Sequence, residues 1–155
     1  MKITKIPTKS ISIKSIRIDM AKIFVDTDIC LDLLSGRKPF NAIAEKLFTL
    51  ADIGKIKICV SSLSFSNIDY ILQSQYKRND SRNILATFKT LVTVLSVDNK
   101  IIELAIASDF TDFEDAIQYN TAIENNVKVL LTRNLKDYKK ALIQVMNPET
   151  FLSGQ

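Results

Sequence analysis

Residues 22–34 read KIFVDTDICLDLL, and this stretch decides the fold that the sequence predicts. The apolar residues 23–25 run straight into Asp26, Thr27 and Asp28, and an apolar-patterned segment follows. A short apolar run that ends at carboxylates is typical of a buried strand with acids at its C-terminal tip. In open α/β sheets, ligands bind just outside the carboxyl ends of the strands. We therefore expect Asp26 to lie at a functional site.

Strand and helix patterns alternate along the rest of the chain. Strands are predicted at 22–26, 55–60, 92–97 and 127–131, with an edge strand at 142–146. Helices are predicted at 28–35, 40–52, from the serines at 61–64 to 76, after Asp80, after Asp98, at 111–125 and at 135–140. This alternation favours an α/β fold with a parallel sheet covered on both faces. Residues 20–155 form one domain in this interpretation, and 1–19 form a leader that is disordered, an upstream extension or an added edge strand.

Composition excludes several kinds of chemistry. The chain has no histidine, which removes His-based acid–base catalysis, Ser-His-Asp triads and His-containing zinc sites. The net charge of +4 comes from five basic residues and one acid in residues 1–19, which leaves 16 basic and 16 acidic residues in the body. No apolar run approaches the length of a membrane span. Cys30 and Cys59 lie in apolar segments, so we expect buried free thiols and a reducing, cytoplasmic compartment.

Acidic residues are expected at three places along one edge of the sheet. They are Asp26 with Asp28, then Asp109, Asp112, Glu114 and Asp115, and finally Asp137. Crowded carboxylates raise one another's pKa, and a hard divalent cation relieves that repulsion. Without His or Cys ligands, the set indicates a Mg²⁺ or Mn²⁺ site that acts on phosphate esters.

Some of these acids also have purely structural interpretations. Thr111 lies three residues before Glu114 and predicts a capping box, and Asp112 could cap the same helix. Asp137 could be solvated, and Asp32 is expected on a partly exposed helix face. Asp26 is the hardest to explain structurally, because a carboxylate that closes a buried strand is costly unless it binds something.

Three blocks of the sequence carry a family resemblance. They are FVDTDICLDLL (24–34), DFEDAIQYNTAIENN (112–126) and VKVLLTRNLKDY (127–138). In this order and spacing they resemble the PIN-domain nucleases, which include the toxins of VapBC-type toxin–antitoxin pairs. The resemblance implies a three-layer α/β/α sandwich with a central parallel sheet. It also implies a cytoplasmic endoribonuclease that uses Mg²⁺ or Mn²⁺ to activate water against RNA phosphodiesters.

The resemblance further implies a set of site residues and partners. Asp26 and Asp115 match the family's first metal ligand and the acid of its third block, and Asp137 or Asn134 matches the last site. Asp26, Asp115 and Asp137 are predicted to be catalytic and to hold the metal, with Asp28 as a further metal ligand. Supporting roles fall to Asn67, Asp112, Thr132 and Asn134. Thr27 and Ser62 offer further hydroxyls, and Arg133 is predicted to hold the substrate phosphate. The expected partners are RNA, an antitoxin protein and a second copy of the chain in a homodimer, without a membrane.

Two positions depart from the family pattern. Asn67 stands where the family commonly has a glutamate, and Asp28 stands where asparagine is usual. An asparagine offers a carbonyl oxygen but no charge. We therefore hypothesise that Asp28 compensates for the lost carboxylate.

Two other functions remain open at this point. A site degraded by Asn67 would leave a catalytically weakened RNA-binding or protein-interaction module. The Asp26-Thr27-Asp28 triplet also fits the opening of a haloacid-dehalogenase-like phosphatase, although the expected Gly-Thr continuation and late lysine are missing. Phe40, Phe48, Tyr70 and Tyr76 are candidate antitoxin contacts if exposed, with core packing as their alternative role.

Overall fold

The computed structural model describes residues 20–155, and within that range it contains a five-stranded parallel sheet. The strand order is β3-β2-β1-β4-β5. The strands are β1 (Lys22–Val25), β2 (Lys57–Ser61), β3 (Thr93–Leu95), β4 (Val129–Leu131) and β5 (Gln144–Met146). The helices are α1 (Thr27–Leu34), α2 (Asn41–Asp52), α3 (Ser62–Leu72), α4 (Arg78–Leu91), α5 (Asn99–Ile106), α6 (Phe113–Glu124) and α7 (Pro148–Ser153), with a 3₁₀ helix at Leu135–Tyr138.

Strand β1 is central and separates two helical layers. Its side chains alternate between faces: Ile23 and Val25 join a core with α1 to α4, whereas Phe24 joins a core with α6 and the 3₁₀ helix. All three side chains are fully buried. Burial on both faces explains why the strand is a continuous apolar run instead of an alternating one. The predicted three-layer α/β/α architecture is confirmed.

Most predicted elements are present, with shifted ends. Helix α3 ends at Leu72 and not near residue 76, and α4 begins at Arg78, ahead of Asp80. Helix α7 was not predicted; Asn147 caps it and Pro148 occupies its first turn. The leader predicted at 1–19 lies outside the described residues. Within those residues no helix is long and apolar enough to cross a membrane.

The capping box predicted from Thr111 is wrong. Asp112 is the N-cap of α6, and its Oδ1 accepts a hydrogen bond from the Asp115 backbone N–H at 2.9 Å. The helix therefore begins one residue later than a Thr111 cap would set it. Glu114 is consequently free of a capping role, and its side chain reaches elsewhere. The prediction for the cysteines is confirmed, because Cys30 and Cys59 are buried free thiols.

Candidate active site

Asp26 lies at the topological switch point of the sheet, where successive strands change from one side of β1 to the other. The chain builds β2 and β3 on one side of β1 and then crosses to β4 and β5 on the other. Such a switch point opens a crevice at the carboxyl ends of the strands. The Asp26 N–H donates to the Leu131 carbonyl at 3.0 Å, and Thr132 Oγ1 donates to Asp26 Oδ2 at 2.8 Å. The pairing of β1 with β4 thus fixes the carboxylate, which is only 5% exposed.

Asp115 reaches the same place from the opposite layer. It lies in the first turn of α6 and is 8% exposed. Tyr138 donates its hydroxyl proton to Asp115 Oδ1 at 3.1 Å, and Asn134 Nδ2 lies 3.5 Å from Oδ2. Burial and the neighbouring Asp115 and Asp26 carboxylates raise the pKa of the Tyr138 hydroxyl, so it remains a donor. Both carboxylates therefore have fixed orientations.

The two carboxyl groups disfavour each other's ionisation. Burial, followed by the charges of Asp26 and Asp112, raises the pKa of Asp115 to about 7. Burial also raises the pKa of Asp26, and the hydrogen bond from Thr132 offsets part of that rise. Buried acids with raised pKa values in a crevice are typical of functional sites. A positive charge placed between them would favour the ionised form of both.

A cavity of about 380 Å³ opens over the two acids. Its acidic lining residues are Asp26, Asp28, Asp112, Glu114 and Asp115. Among the described residues, Arg37 is the one cationic side chain that lines it. The cavity is therefore strongly negative. Within residues 20–155 no three acidic side chains are arranged so as to hold a metal ion between them.

A chain of buried hydroxyls leads from β2 to this cavity. Ser61 and Ser64 lie 3.1 Å apart at their Oγ atoms, Ser64 Oγ lies 2.9 Å from Thr27 Oγ1, and Thr27 Oγ1 lies 3.1 Å from Glu114 Oε1. Thr27 donates its one hydroxyl proton to Glu114, so Ser64 must donate to Thr27. The network fixes Glu114, which connects α6 to α1 and α3.

Gln118 completes the inner wall and has one unsatisfied atom. It is 1% exposed, and its Nε2 donates to Glu114 Oε1 at 3.3 Å. A hydrogen bond from Gln118 also lowers the pKa of Asp26, so the Gln118 N–H₂ group faces both Glu114 and Asp26. Its buried Oε1 has no hydrogen-bond partner in the described part of the chain. Exchanging the Gln118 amide oxygen and nitrogen would place Oε1 next to the carboxylate oxygens, which is unfavourable. Oε1 is therefore the atom that needs a hydrogen-bond donor.

The structure separates the two candidates for the last site. Asn134 lines the cavity, whereas Asp137 lies outside its wall and accepts a hydrogen bond from Asn134 Nδ2. Asp137 therefore does not line the cavity beside Asp26 and Asp115, and its direct role stays a prediction. Asp137 lies on the 3₁₀ helix at residues 135–138, and its carboxylate accepts from the Asn134 amide. Asp137 therefore reaches the cavity through Asn134 and through its charge, which helps to raise the pKa of Asp115.

Arg133 is not placed to hold a substrate phosphate. Its guanidinium forms two hydrogen bonds with Asp32, at 2.9 and 3.1 Å, and lies 3.9 Å over the Phe40 ring, outside the cavity. Asp32 is 2% exposed, so the predicted partly exposed position is wrong. The pair joins α1 to the loop after β4. Arg133 thereby supports the backbone that carries Thr132 and Asn134.

Asp28 and Asn67 both line the cavity, but Asp28 lies at its open edge. The Asp28 side chain is 59% exposed and pairs with Arg37 at 3.2 Å. Arg37 thus balances its charge, which weakens the hypothesis that Asp28 compensates for Asn67. Glu114 is held inside the cavity and is the better placed third carboxylate. Ser62 has a structural role, because its Oγ accepts from the Val97 N–H at 3.1 Å.

Three site residues were missed at the sequence level. Tyr138 orients Asp115, Ser64 orients Thr27, and Gln118 closes the inner wall. Helical spacing gave a signal for Gln118, which follows Glu114 by four residues on α6 and so shares its face. Tyr138 directly follows Asp137, but nothing in the sequence indicates that its hydroxyl contacts Asp115 on α6.

Comparison with known proteins identifies the family of the chain. The PIN domain family model matches residues 22–136, which is more than half of the chain. A protein named Ribonuclease VapC1, from Aquifex aeolicus (strain VF5), is 25% identical over 138 residues, covering 84% of this chain and 92% of that protein.

Solved structures with lower identity show the same fold. A toxin–antitoxin complex from Klebsiella pneumoniae superposes with a TM-score of 0.62 at 22% identity, covering 81% of this chain and 97% of that one. VapC20 from Mycobacterium tuberculosis, described as a Sarcin-Ricin loop cleaving toxin, superposes with a TM-score of 0.57 at 19% identity, covering 70% and 86%.

Proposed function

The chain belongs to the PIN-domain family, and on that premise we propose that it is a ribonuclease centred on Asp26 and Asp115. The observation that carries the proposal is the meeting of these two buried carboxylates, one at the tip of β1 and one in the first turn of α6, in one cavity. The relative named Ribonuclease VapC1 supports RNA as the substrate. A pair of buried like charges is unfavourable for folding alone, so its presence favours a functional role.

The donor set fits a hydrated Mg²⁺ or Mn²⁺ ion. Mg²⁺ usually takes one or two carboxylates, keeps several waters and completes its shell with substrate phosphate oxygens. Asp26 and Asp115 would be the two carboxylates. The orphaned Oε1 of Gln118 needs a hydrogen-bond donor, and water held by such an ion is one. Glu114 would be a further oxygen acceptor in the same cavity.

Side chains around the two acids would keep the site in a reactive arrangement. When bound, a divalent cation supplies Lewis acidity toward the phosphodiester and lowers the pKa of water. Thr132 holds Asp26, and Tyr138 holds Asp115, so neither carboxylate has to reorient. Gln118 can orient a water against the phosphate from the inner wall. Such fixed groups lower the cost of reorganisation during the reaction.

The test is metal-dependent cleavage of RNA. Purified protein would be incubated with a mixed pool of single-stranded and hairpin RNAs in Mg²⁺, in Mn²⁺ and in EDTA. Cleavage is expected with either ion, none in EDTA, and a loss of at least ~100-fold in Asp26→Asn and Asp115→Asn. Glu45→Gln removes an exposed acid on α2 and serves as the matched control. RNA cleavage that persists in EDTA would refute the proposal.

Asn67 favours one alternative, a module that binds RNA or protein without cleaving it. The test above separates the two, because such a module would bind RNA in the presence of Mn²⁺ without shortening it. Asn67→Glu would then be expected to create or increase cleavage. The phosphatase alternative has lost its support, since the family match is to the PIN domain.

We further propose that the protein is a toxin with an antitoxin partner. A structural neighbour from Rickettsia felis, VapBC2 bound to a DNA fragment from its promoter, has a TM-score of 0.61 at 17% identity, covering 81% of this chain and 97% of that one. Induced expression is expected to arrest bacterial growth, and Asp26→Asn is expected to abolish the arrest. Size measurement in solution would test the proposed homodimer.

A further inference from the structure

Tyr70 is an exposed aromatic ring at the mouth of the acidic cavity. The residue is 79% exposed, and its helix α3 also contributes Asn67 and Ile71 to the cavity wall. Two other aromatic residues in the described range are notably exposed, Phe113 at 49% and Tyr76 at 40%, but neither lines this cavity. An aromatic ring held in water beside a reactive site is an unused binding surface.

Charge alone gives this site little attraction for RNA. Five acids line the cavity against Arg37, and Arg37 is already paired with Asp28. Residues 20–155 carry equal numbers of basic and acidic side chains. Nucleic-acid binding normally draws much of its affinity from neutralised phosphates. A substrate therefore needs an uncharged contact near the cavity, and stacking of a base on an aromatic ring is such a contact.

The surroundings of Tyr70 suit a single base better than a protein partner. Ser66 lies one helical turn before Tyr70 on α3, and Gln73 and Ser74 follow in the turn after the helix; all three are polar and exposed. Leu31 and Ile71 line the same cavity, but Leu31 is buried and Ile71 is half-buried, so the Tyr70 ring is the exposed apolar surface there. The centres of protein interfaces are larger and more apolar than one ring among polar side chains.

We propose that Tyr70 stacks on an unpaired nucleobase next to the phosphate that enters the cavity. This inference rests on the proposed ribonuclease function and narrows its substrate. A base that stacks on a side chain cannot remain inside a duplex, so the substrate is single-stranded RNA or a loop. Tyr70 would act in binding and would not touch the reacting atoms.

The test compares Tyr70→Ala, Tyr70→Phe and the matched control Tyr76→Ala on one single-stranded RNA. Tyr70→Ala is expected to raise KM by about 5- to 100-fold with kcat within about threefold, because stacking contributes to binding. Tyr70→Phe keeps the ring and is expected to match the unaltered protein, as is Tyr76→Ala. An RNA with an abasic site beside the cleaved phosphate should remove the difference between Tyr70→Ala and the unaltered protein.

RNA binding measured by fluorescence anisotropy keeps this inference separate from the ribonuclease proposal. Anisotropy of the Asp26→Asn protein, with and without Tyr70→Ala, reports stacking even if no RNA is cleaved. Equal RNA affinity with and without the Tyr70 ring would overturn the inference and leave the ribonuclease proposal intact. Weaker binding of an antitoxin protein with unchanged RNA affinity would assign Tyr70 to a protein partner and also overturn it. Thermal melting would confirm that each variant is folded.

Discussion

Replacing Asp115 with asparagine should stabilise the metal-free protein, and should do so only at neutral and alkaline pH. Asp115 is buried and faces Asp26, Asp112 and Asp137, and these surroundings raise its pKa from 3.8 to about 7. In the unfolded chain the carboxyl ionises freely near pH 4. Ionisation therefore lowers the stability of the folded state as pH rises from about 4 to 7. Below pH 4 the carboxyl is protonated in both states and the penalty is absent.

The size of the effect follows from that difference in pKa. Each unit of pKa difference corresponds to about 1.36 kcal/mol, so a rise of about three units sets an upper limit near 4 kcal/mol. The limit is reduced because part of the rise comes from Asp26, whose own ionisation is coupled to that of Asp115. We expect Asp115→Asn to gain roughly 2–3 kcal/mol at pH 8 and less than about 1 kcal/mol at pH 4.5. The asparagine carbonyl can still accept from the Tyr138 hydroxyl.

Urea denaturation in EDTA at pH 4.5 and pH 8 measures both values. Glu45→Gln, an exposed acid, is the control and should change little at either pH. Adding Mn²⁺ at pH 8 should stabilise the unaltered protein more than Asp115→Asn, because the ion offsets the repulsion of the carboxylates. A variant that is less stable than the unaltered protein at pH 8, or a gain that is the same at both pH values, would refute the reasoning.

Three further substitutions test the supporting contacts. Arg133→Met should lower the free energy of unfolding by about 3–5 kcal/mol, because it leaves the buried Asp32 carboxylate unpaired. Asp32→Asn should cost less, because it removes that charge. Urea denaturation measures both losses, and equal losses would contradict the prediction. Thr132→Val removes the donor to Asp26 and should slow RNA cleavage about 10-fold or more without unfolding the protein. Tyr138→Phe removes the hydroxyl that donates to Asp115. Because that hydrogen bond lowers the pKa of Asp115, its loss should move the acidic limb of the pH–rate profile to higher pH.

The fold and the centre of the site could be predicted because their signals are local. A continuous apolar run predicts a strand buried on both faces, and Asp26 directly follows it. Helical spacing and a cap predict α6, which fixes the direction of Asp115 once the sheet is parallel. The positions of Asp26 and Asp115 can be inferred from chain order and strand direction, without knowledge of any contact between distant residues.

The errors arose where one residue of register or one distant contact decides the outcome. The start of α6 depends on whether Thr111 or Asp112 caps it, and that choice frees Glu114 for the cavity. Arg133 is an isolated surface cation by sequence, yet it pairs with a residue 101 positions away. Gln118 is a neutral amide whose spacing from Glu114 places it on the same helix face, but its unsatisfied oxygen is visible only in the folded chain.

The most direct measurement is titration of the metal-free protein with Mn²⁺ by calorimetry, alongside Asp26→Asn, Asp115→Asn and the Glu45→Gln control. The account predicts one saturable binding event at pH 8, retained in Glu45→Gln and weakened at least ~10-fold by either site substitution. Binding of Mn²⁺ with the same affinity in all four proteins would contradict the claim that Asp26 and Asp115 together hold a divalent cation.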